Sequence, residues 1–105
     1  MPVVVVAAFT VKPESVDTAR EIMTTGVEEG HAEPGCQLYA LHETGNIFVF
    51  IEQWADEEAL QTHSTAPAVA KMFAALDGHL EEGQVDFKML QPLPAGDPDK
   101  GQLRK

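Results

Sequence analysis

The chain has 105 residues, of which 44% are apolar, and it carries 7 basic against 17 acidic side chains, for a formal net charge of −10. This length fits one compact domain near the small end of the usual range, where a partner subunit helps stability. The negative charge repels phosphate backbones and anionic lipid, so we expect neither a nucleic-acid partner nor a membrane partner. The single cysteine, Cys36, excludes an intramolecular disulfide and favours a cytoplasmic location.

The first half of the chain predicts a strand, a helix and two further strands. Residues 3–11 are β-branched and apolar on both faces, which is typical of a strand covered above and below. A helix is predicted from Pro13 to about Gly30, because apolar residues then recur at helical spacing. Two strands follow, over residues 36–43 and 47–54, joined by a tight turn. The second of these is again apolar on both faces over most of its length.

The second half predicts a helix pair, a last strand and a tail. Asp56 is a typical N-cap for a short helix that runs to about His63. The residues 84–90 alternate as in a strand, and we divide the chain into a domain over 1–91 and a loose or partner-contacting tail over 92–105. Between the short helix and this strand, a second helical segment carries one apolar stripe, namely Val69, Met72, Phe73, Leu76 and Leu80.

The order of these elements is the split β-α-β pattern of the ferredoxin-like fold, an α+β fold with a four-stranded antiparallel sheet. In that fold the first and third strands lie side by side at the centre, and these are the two strands that are apolar on both faces. The helices cover one face only, so the other face would expose an apolar patch too large for a monomer in water. We therefore predict a homodimer in which two sheets pack face to face.

Several kinds of chemistry have no motif in the sequence. Glycine-rich nucleotide loops, a C-x-x-C pair and the H-E-x-x-H zinc motif are absent. The four histidines are not spaced three or four residues apart, as the ligands of a metal site on one helix would be. We therefore predict no cofactor and no metal site.

The informative cluster of side chains is Glu52, Trp54 and His63. Phe48, Phe50, Glu52 and Trp54 share one face of the predicted third strand, and the helix that carries His63 follows directly. An imidazole oriented by Glu52 beside an aromatic wall could act as a general base toward an acidic O–H or C–H of an aromatic substrate. The alternative is structural, with a paired Glu52, a Trp54 that fills the core and a His63 at the surface.

Five further residues are weighed in the same way. Tyr39, the only tyrosine, lies on a neighbouring strand, where its hydroxyl either orients a substrate oxygen or only packs. Cys36 has no basic neighbour in sequence, so we interpret it as an inert thiol. Glu28, Glu29 and Glu33 are interpreted as solvated surface.

The residues Glu33-Pro34-Gly35-Cys36 with Tyr39, followed by residues 50–56 and 59–63, resemble the antibiotic biosynthesis monooxygenase family, with similarity over residues 3–91. The resemblance implies a dimeric α+β barrel. It also implies an oxygenase that deprotonates an electron-rich hydroxyaromatic, whose anion passes an electron to O2 without flavin or metal. Trp54 and Tyr39 match aromatic positions in the pocket of an anthrone oxygenase, and His63 matches a helix histidine of quinol-oxygenase-like members.

Other branches of this family fit less well. The haem-degrading branch has an asparagine, a tryptophan and an iron-ligating histidine where this chain has Ala7, His63 and a residue near Met72. Many relatives carry a second histidine at the position of Ala68, so a mechanism with paired histidines is not supported.

We predict a cytoplasmic, dimeric, cofactor-independent monooxygenase that oxidises a quinol-like or anthrone-like hydroxyaromatic with O2. Two alternatives stay open: an isomerase of a small phosphorylated compound, and a dimeric module that binds a small ligand without catalysis. The predicted catalytic residues are His63 as the base and Glu52 as its orienter, and the predicted substrate-binding walls are Trp54, Tyr39, Phe48 and Phe50.

Overall fold

The structure, a computed structural model, describes residues 1–105 apart from the side chains of residues 83 and 84. No helix in this described chain is long and apolar enough to cross a membrane. The order of elements is the predicted α+β order. In sequence these elements are β1 (Val3–Val11), a 3₁₀ turn (Pro13–Ser15), α1 (Val16–Gly30), β2 (Cys36–Thr44), β3 (Ile47–Trp54), α2 (Glu57–Ser64), α3 (Pro67–Leu76) and β4 (Leu80–Leu90).

The described strands form one antiparallel, four-stranded sheet in the order β2-β3-β1-β4. The two central strands, β1 and β3, are the two whose sequences are apolar on both faces. Ala7 of β1 lies opposite Phe50 of β3, and β4 pairs with the other edge of β1. With the helices against one face, this arrangement is the ferredoxin-like fold that the order of elements predicted.

The core lies between the helices and one face of the sheet. Phe48, Phe50 and Trp54 of β3 point into it and are at most 1% exposed. Phe9 of β1 meets Phe50 edge to face, with ring centroids 5.6 Å apart. Glu52 lies on this same helix-facing side, so the alternation along β3 delivers a carboxylate into the core layer.

The opposite face of the sheet is only partly covered. Val6, Ala8 and Ile51 on this face are of intermediate burial. The end of the chain folds back over one end of the face, where the side-chain amide of Gln53 donates to the backbone oxygen of Arg104 at 3.3 Å. Val6, Ala8, Val49 and Ile51 form the apolar centre of this face, as the pattern of the central strands predicted, whereas the neighbouring strands β2 and β4 place the polar side chains of His42, Asp86 and Lys88 on it.

The start of β4 differs from the sequence prediction. Leu80 was predicted on the apolar stripe of the second helical segment, but α3 ends at Leu76 and Leu80 is the first residue of β4. Gly78 has a positive φ of 83°, which breaks the helix, and Leu80 then pairs with Val11. The alternating pattern begins only near residue 84, so it did not reveal that the strand starts earlier.

Candidate active site

The imidazole of His63 lies at the centre of the candidate site. Asp56 caps α2 by accepting a hydrogen bond from the backbone N–H of Ala59 at 2.8 Å, and His63 follows in the last turn of that helix. The imidazole stacks on the indole of Trp54, with ring centroids 4.2 Å apart and an interplanar angle of 25°. His63 is only 7% exposed, so the interpretation of this residue as a surface histidine is wrong.

Glu52 lies close to the imidazole but is hydrogen-bonded to the indole. The indole N–H of Trp54 donates to Oε1 of Glu52 at 2.9 Å, and the same oxygen lies 3.8 Å from Nε2 of His63. Burial raises the pKa of the Glu52 carboxyl, and the hydrogen bond from Trp54 and the nearby His63 offset part of this rise. The structure therefore brings Glu52, Trp54 and His63 together, as the sequence predicted.

The carboxylate that is hydrogen-bonded to His63 belongs to Glu33 and not to Glu52. Oε1 of Glu33 lies 2.5 Å from Nδ1 of His63, and the two side chains are 12% and 9% exposed. The interpretation of Glu33 as solvated surface is therefore wrong. Glu33 lies 30 residues before His63 in a turn between elements, where no periodicity signals that a side chain points inward.

The turn that carries Glu33 packs against α2. Gly35 has a φ of 79°, and a Cβ at this position would lie 2.5 Å from Cβ of Ala59. The backbone oxygen of Gly35 accepts a hydrogen bond from Ala55 at 2.8 Å. A glycine is needed both for the positive φ and for this close approach. The Glu-Pro-Gly sequence therefore places the Glu33 carboxylate beside the helix that carries His63.

Tyr39 forms a second wall of the site. Its ring stacks on Phe50, with centroids 5.4 Å apart, and meets the imidazole of His63 edge to face at 5.1 Å. The other side of the ring lies against α1, where a Cβ on Gly30 would come within 2.5 Å of the ring. Burial raises the pKa of Tyr39, and the charge of Glu52 adds to the rise, so the phenol remains a hydrogen-bond donor at neutral pH.

A cavity of about 270 Å³ lies between the sheet and the pair α2 and α3. Of the predicted substrate-binding residues, Tyr39 and Phe50 line it, whereas Phe48 and Trp54 are buried behind the cavity wall. The apolar side of the cavity is not predictable from local patterns, because it depends on the tertiary positions of β4 and α3. The additional apolar lining includes Met72, Phe73, Phe87 and Met89.

The polar groups of the cavity are acceptors or neutral donors. Among the described residues that line the cavity, the polar side chains are Tyr39, Glu52, His63 and Ser64, and there is no lysine or arginine. Within the same described chain, no three His, Cys, Asp or Glu side chains are grouped so that they would hold a metal ion. The cavity therefore favours a largely apolar ligand that presents an O–H or N–H donor to the carboxylate and the imidazole.

The chain folds as a ferredoxin-like α+β domain. Its buried imidazole lines an aromatic cavity between the sheet and the helices, and these features define the class of the protein. The chain belongs to the antibiotic biosynthesis monooxygenase family, whose model matches residues 2–75. This match agrees with the resemblance carried by the Glu-Pro-Gly-Cys segment and the residues from Phe50 to His63.

Individual relatives support the same assignment. Rv0793 from Mycobacterium tuberculosis is 30% identical over 94 residues, which are 88% of this chain and 92% of that protein. Its solved structure superposes with a TM-score of 0.83 over 92% of this chain and 100% of that chain. A crystal structure of an antibiotic biosynthesis monooxygenase is 26% identical, with a TM-score of 0.81 over 88% of this chain and 99% of that one.

A third relative is longer than this chain. The uncharacterized protein sll1783 from Synechocystis is 33% identical over 69 residues, which are 63% of this chain and 47% of that protein. The matched residues therefore span about half the length of sll1783. This likeness supports the family assignment of the matched residues alone.

Proposed function

We propose that the protein is a cytoplasmic, cofactor-independent monooxygenase that oxidises a quinol-like or anthrone-like hydroxyaromatic with O2. The observation that carries the proposal is the buried imidazole of His63. It lines an apolar cavity, and its Nδ1 is hydrogen-bonded to the carboxylate of Glu33. Membership of the antibiotic biosynthesis monooxygenase family supports the reaction class. The flat walls formed by Tyr39 and Phe50 fit an aromatic ring.

The proposed reaction begins with a proton transfer to Nε2 of His63. The described cavity lining offers the anion no lysine or arginine, and the two carboxylates near His63 offset the charge of the imidazolium, so the electron-rich ring is a stronger reductant. The anion gives one electron to O2, and the ring radical and superoxide combine at carbon as a peroxide anion. This peroxide takes the proton back from the imidazolium. Its O–O bond then breaks as the remaining hydrogen of the same carbon leaves, which releases water and retains one oxygen atom of O2 in the product as a carbonyl.

An oxygen-consumption assay with anthrone and with menadiol tests the proposal. We expect the purified protein to accelerate O2 uptake above the spontaneous rate, and 18O2 to place one labelled oxygen atom in the anthrone product. Catalase added to the assay distinguishes the proposed oxygenation from an oxidation that releases hydrogen peroxide, because only the latter would return O2. Uptake at the spontaneous rate with both substrates would contradict the proposal and favour a module that binds small ligands without catalysis.

An isomerase of a phosphorylated compound is less well supported by the site. A phosphate group in a buried pocket is usually held by arginine, lysine or several backbone N–H groups. The described lining of the cavity offers no such cation and includes the carboxylate of Glu52, which would repel phosphate. We therefore do not propose this second activity.

We also propose that two copies of the chain form a homodimer through the open face of the sheet. Val6, Ala8, Val49 and Ile51 supply a partly exposed apolar surface on the two central strands. A large exposed apolar patch on a small protein usually marks an interface, and a twofold pairing would bury the same patch on both copies.

Light scattering during size-exclusion chromatography tests the homodimer. We expect a particle of about twice the 11.4 kDa of one chain. Ile51→Glu is expected to reduce this to one chain, because it places a charge in the apolar face. Thr62→Glu, at an exposed position of α2, is the control and should leave the mass unchanged. A stable particle of 11.4 kDa formed by the unaltered protein would contradict the homodimer.

A further inference from the structure

We propose that Glu33 is a positioning residue, which holds the imidazole of His63 with its proton on Nδ1 and leaves Nε2 free to accept a proton from the substrate. For the reaction itself this inference rests on the proposed function. The position of the proton on the ring does not rest on it and can be measured in the absence of any substrate.

The two ring nitrogens of His63 have different surroundings. Nδ1 of His63 lies 2.5 Å from Oε1 of Glu33, which is within hydrogen-bond distance. An ionised carboxylate only accepts hydrogen bonds, so the imidazole donates from Nδ1. A neutral imidazole then carries a lone pair on Nε2. The nearest described carboxylate oxygen to Nε2 belongs to Glu52 and is 3.8 Å away, which leaves Nε2 without a hydrogen bond to it.

Glu33 is poorly arranged for a purely structural role. Its second oxygen, Oε2, is buried and has no hydrogen-bond partner among the described residues. A buried polar atom without a partner destabilises the folded state. A neutral side chain at this position would avoid most of that cost. Among the described residues, the one hydrogen bond that the Glu33 side chain makes is with His63.

The backbone around Glu33 holds its carboxylate in place. The N–H of Glu33 donates to the oxygen of Gly30 at 3.0 Å, and the oxygen of Glu33 accepts from the N–H of Cys36 at 3.3 Å. Gly35 packs the same turn against Ala59 of α2. Both ends of the Glu33–His63 hydrogen bond therefore belong to segments that are packed together, which restricts the orientation of the ring.

An imidazolium forms when His63 accepts a proton, and three side chains surround it. Glu33 then faces Nδ1, the indole of Trp54 lies under the ring at 4.2 Å, and Glu52 faces the newly protonated Nε2 at 3.8 Å. Two carboxylates and an aromatic face all favour the cation. These interactions strengthen as the reaction proceeds, so they contribute to rate more than to binding of the substrate.

Nitrogen NMR of the full-length protein tests the assignment directly. In 15N-labelled protein, at a pH where the 15N shifts themselves report a neutral His63 ring, we expect the ring to be protonated on Nδ1 and unprotonated on Nε2. In Glu33→Gln and Glu33→Ala the acceptor is weakened or removed, so we expect a shift toward the form with the proton on Nε2. Oxygen uptake should fall about 100-fold in kcat with little change in KM, since Glu33 does not line the cavity.

The chain offers a matched control for the loss of one negative charge. Glu29 lies four residues earlier at the surface, where it pairs with Lys71 at 2.8 Å. Glu29→Gln is expected to leave both the proton position of His63 and the oxygen uptake unchanged. The melting temperature of Glu33→Gln should be equal to or above that of the unaltered protein, because a buried amide group without a partner is less costly than a buried carboxylate oxygen without one.

The possible results separate the two proposals. If His63 carries its proton on Nε2 in the unaltered protein, or if it keeps the Nδ1 proton in both Glu33 variants, the positioning role is wrong. If both variants lose stability as well as activity, Glu33 is structural and the inference fails. If the proton position depends on Glu33 while no hydroxyaromatic is oxygenated, the positioning role stands and the proposed oxygenase activity fails.

Discussion

Substitution of His63 by alanine is expected to lower kcat for oxygen uptake with anthrone by about 100- to 10,000-fold, the usual contribution of a positioned general base. His63 is the histidine that lines the described cavity, and its Nδ1 is already bound by Glu33. Without the imidazole, the carboxylate that lines the described cavity is that of Glu52, which is hydrogen-bonded to Trp54. The rates are measured with an oxygen electrode over a range of substrate concentrations.

Two further variants make this result specific. His42→Ala removes a histidine from an exposed position of β2, and we expect it to change the rate by less than about twofold. His63→Asn retains a polar side chain near Glu33 but has no nitrogen lone pair to accept a proton. It should be as inactive as His63→Ala, and near-ultraviolet circular dichroism of both variants reports whether the core is intact. Rates equal to that of the unaltered protein would remove His63 from the mechanism.

The fold could be predicted because local patterns and global packing agree in this chain. Residues 3–11 and 47–54 are apolar on both faces, and the structure places both strands at the centre of the sheet. Asp56 predicted the start of α2 to the residue, since the capping carboxylate is a short-range interaction. The start of β4 was missed because Leu80 has the correct spacing for the helical stripe that ends at Leu76.

The residues of the candidate site were likewise predictable only where a local pattern determines their orientation. Glu52 and Trp54 share a strand face and His63 follows in the next helix, so strand alternation was sufficient to bring them together. Glu33 was missed because its orientation depends on a tertiary contact between Gly35 and Ala59, which no local pattern encodes. In the same acidic run Glu28 is exposed and Glu29 is partly exposed, and a buried carboxylate within such a run has no signature of its own.

Substitution of Trp54 by alanine is expected to produce the largest loss of stability. The side chain is fully buried, and removal of a buried large aromatic side chain costs about 3–5 kcal/mol in the free energy of unfolding. The substitution also removes the N–H that pairs with Oε1 of Glu52 and so leaves a buried carboxylate with one interaction fewer, a further cost of about 1–3 kcal/mol. For a domain of this size these losses approach the whole stability. Urea unfolding at neutral pH measures them.

A double-mutant cycle separates the hydrogen bond from the packing. Trp54→Phe keeps most of the aromatic volume but loses the N–H, and Glu52→Gln keeps an acceptor without the charge. We expect Trp54→Phe to cost about 1 kcal/mol less when residue 52 is glutamine, because an unpaired amide is less costly than an unpaired carboxylate. Equal costs in both backgrounds would show that the indole N–H contributes nothing to the burial of Glu52.

The pH dependence of Glu52→Gln follows from the raised pKa of this carboxyl. Since the folded protein binds the Glu52 proton more tightly than the unfolded chain does, the contribution of this group to stability is largest below the unfolded pKa. It is lost as the pH rises through the folded pKa. Glu52→Gln should therefore gain stability relative to the unaltered protein at neutral pH, and this advantage should disappear in acid. An advantage that instead grows in acid would mean that the ionised carboxylate stabilises the fold through Trp54 and His63 by more than its burial costs.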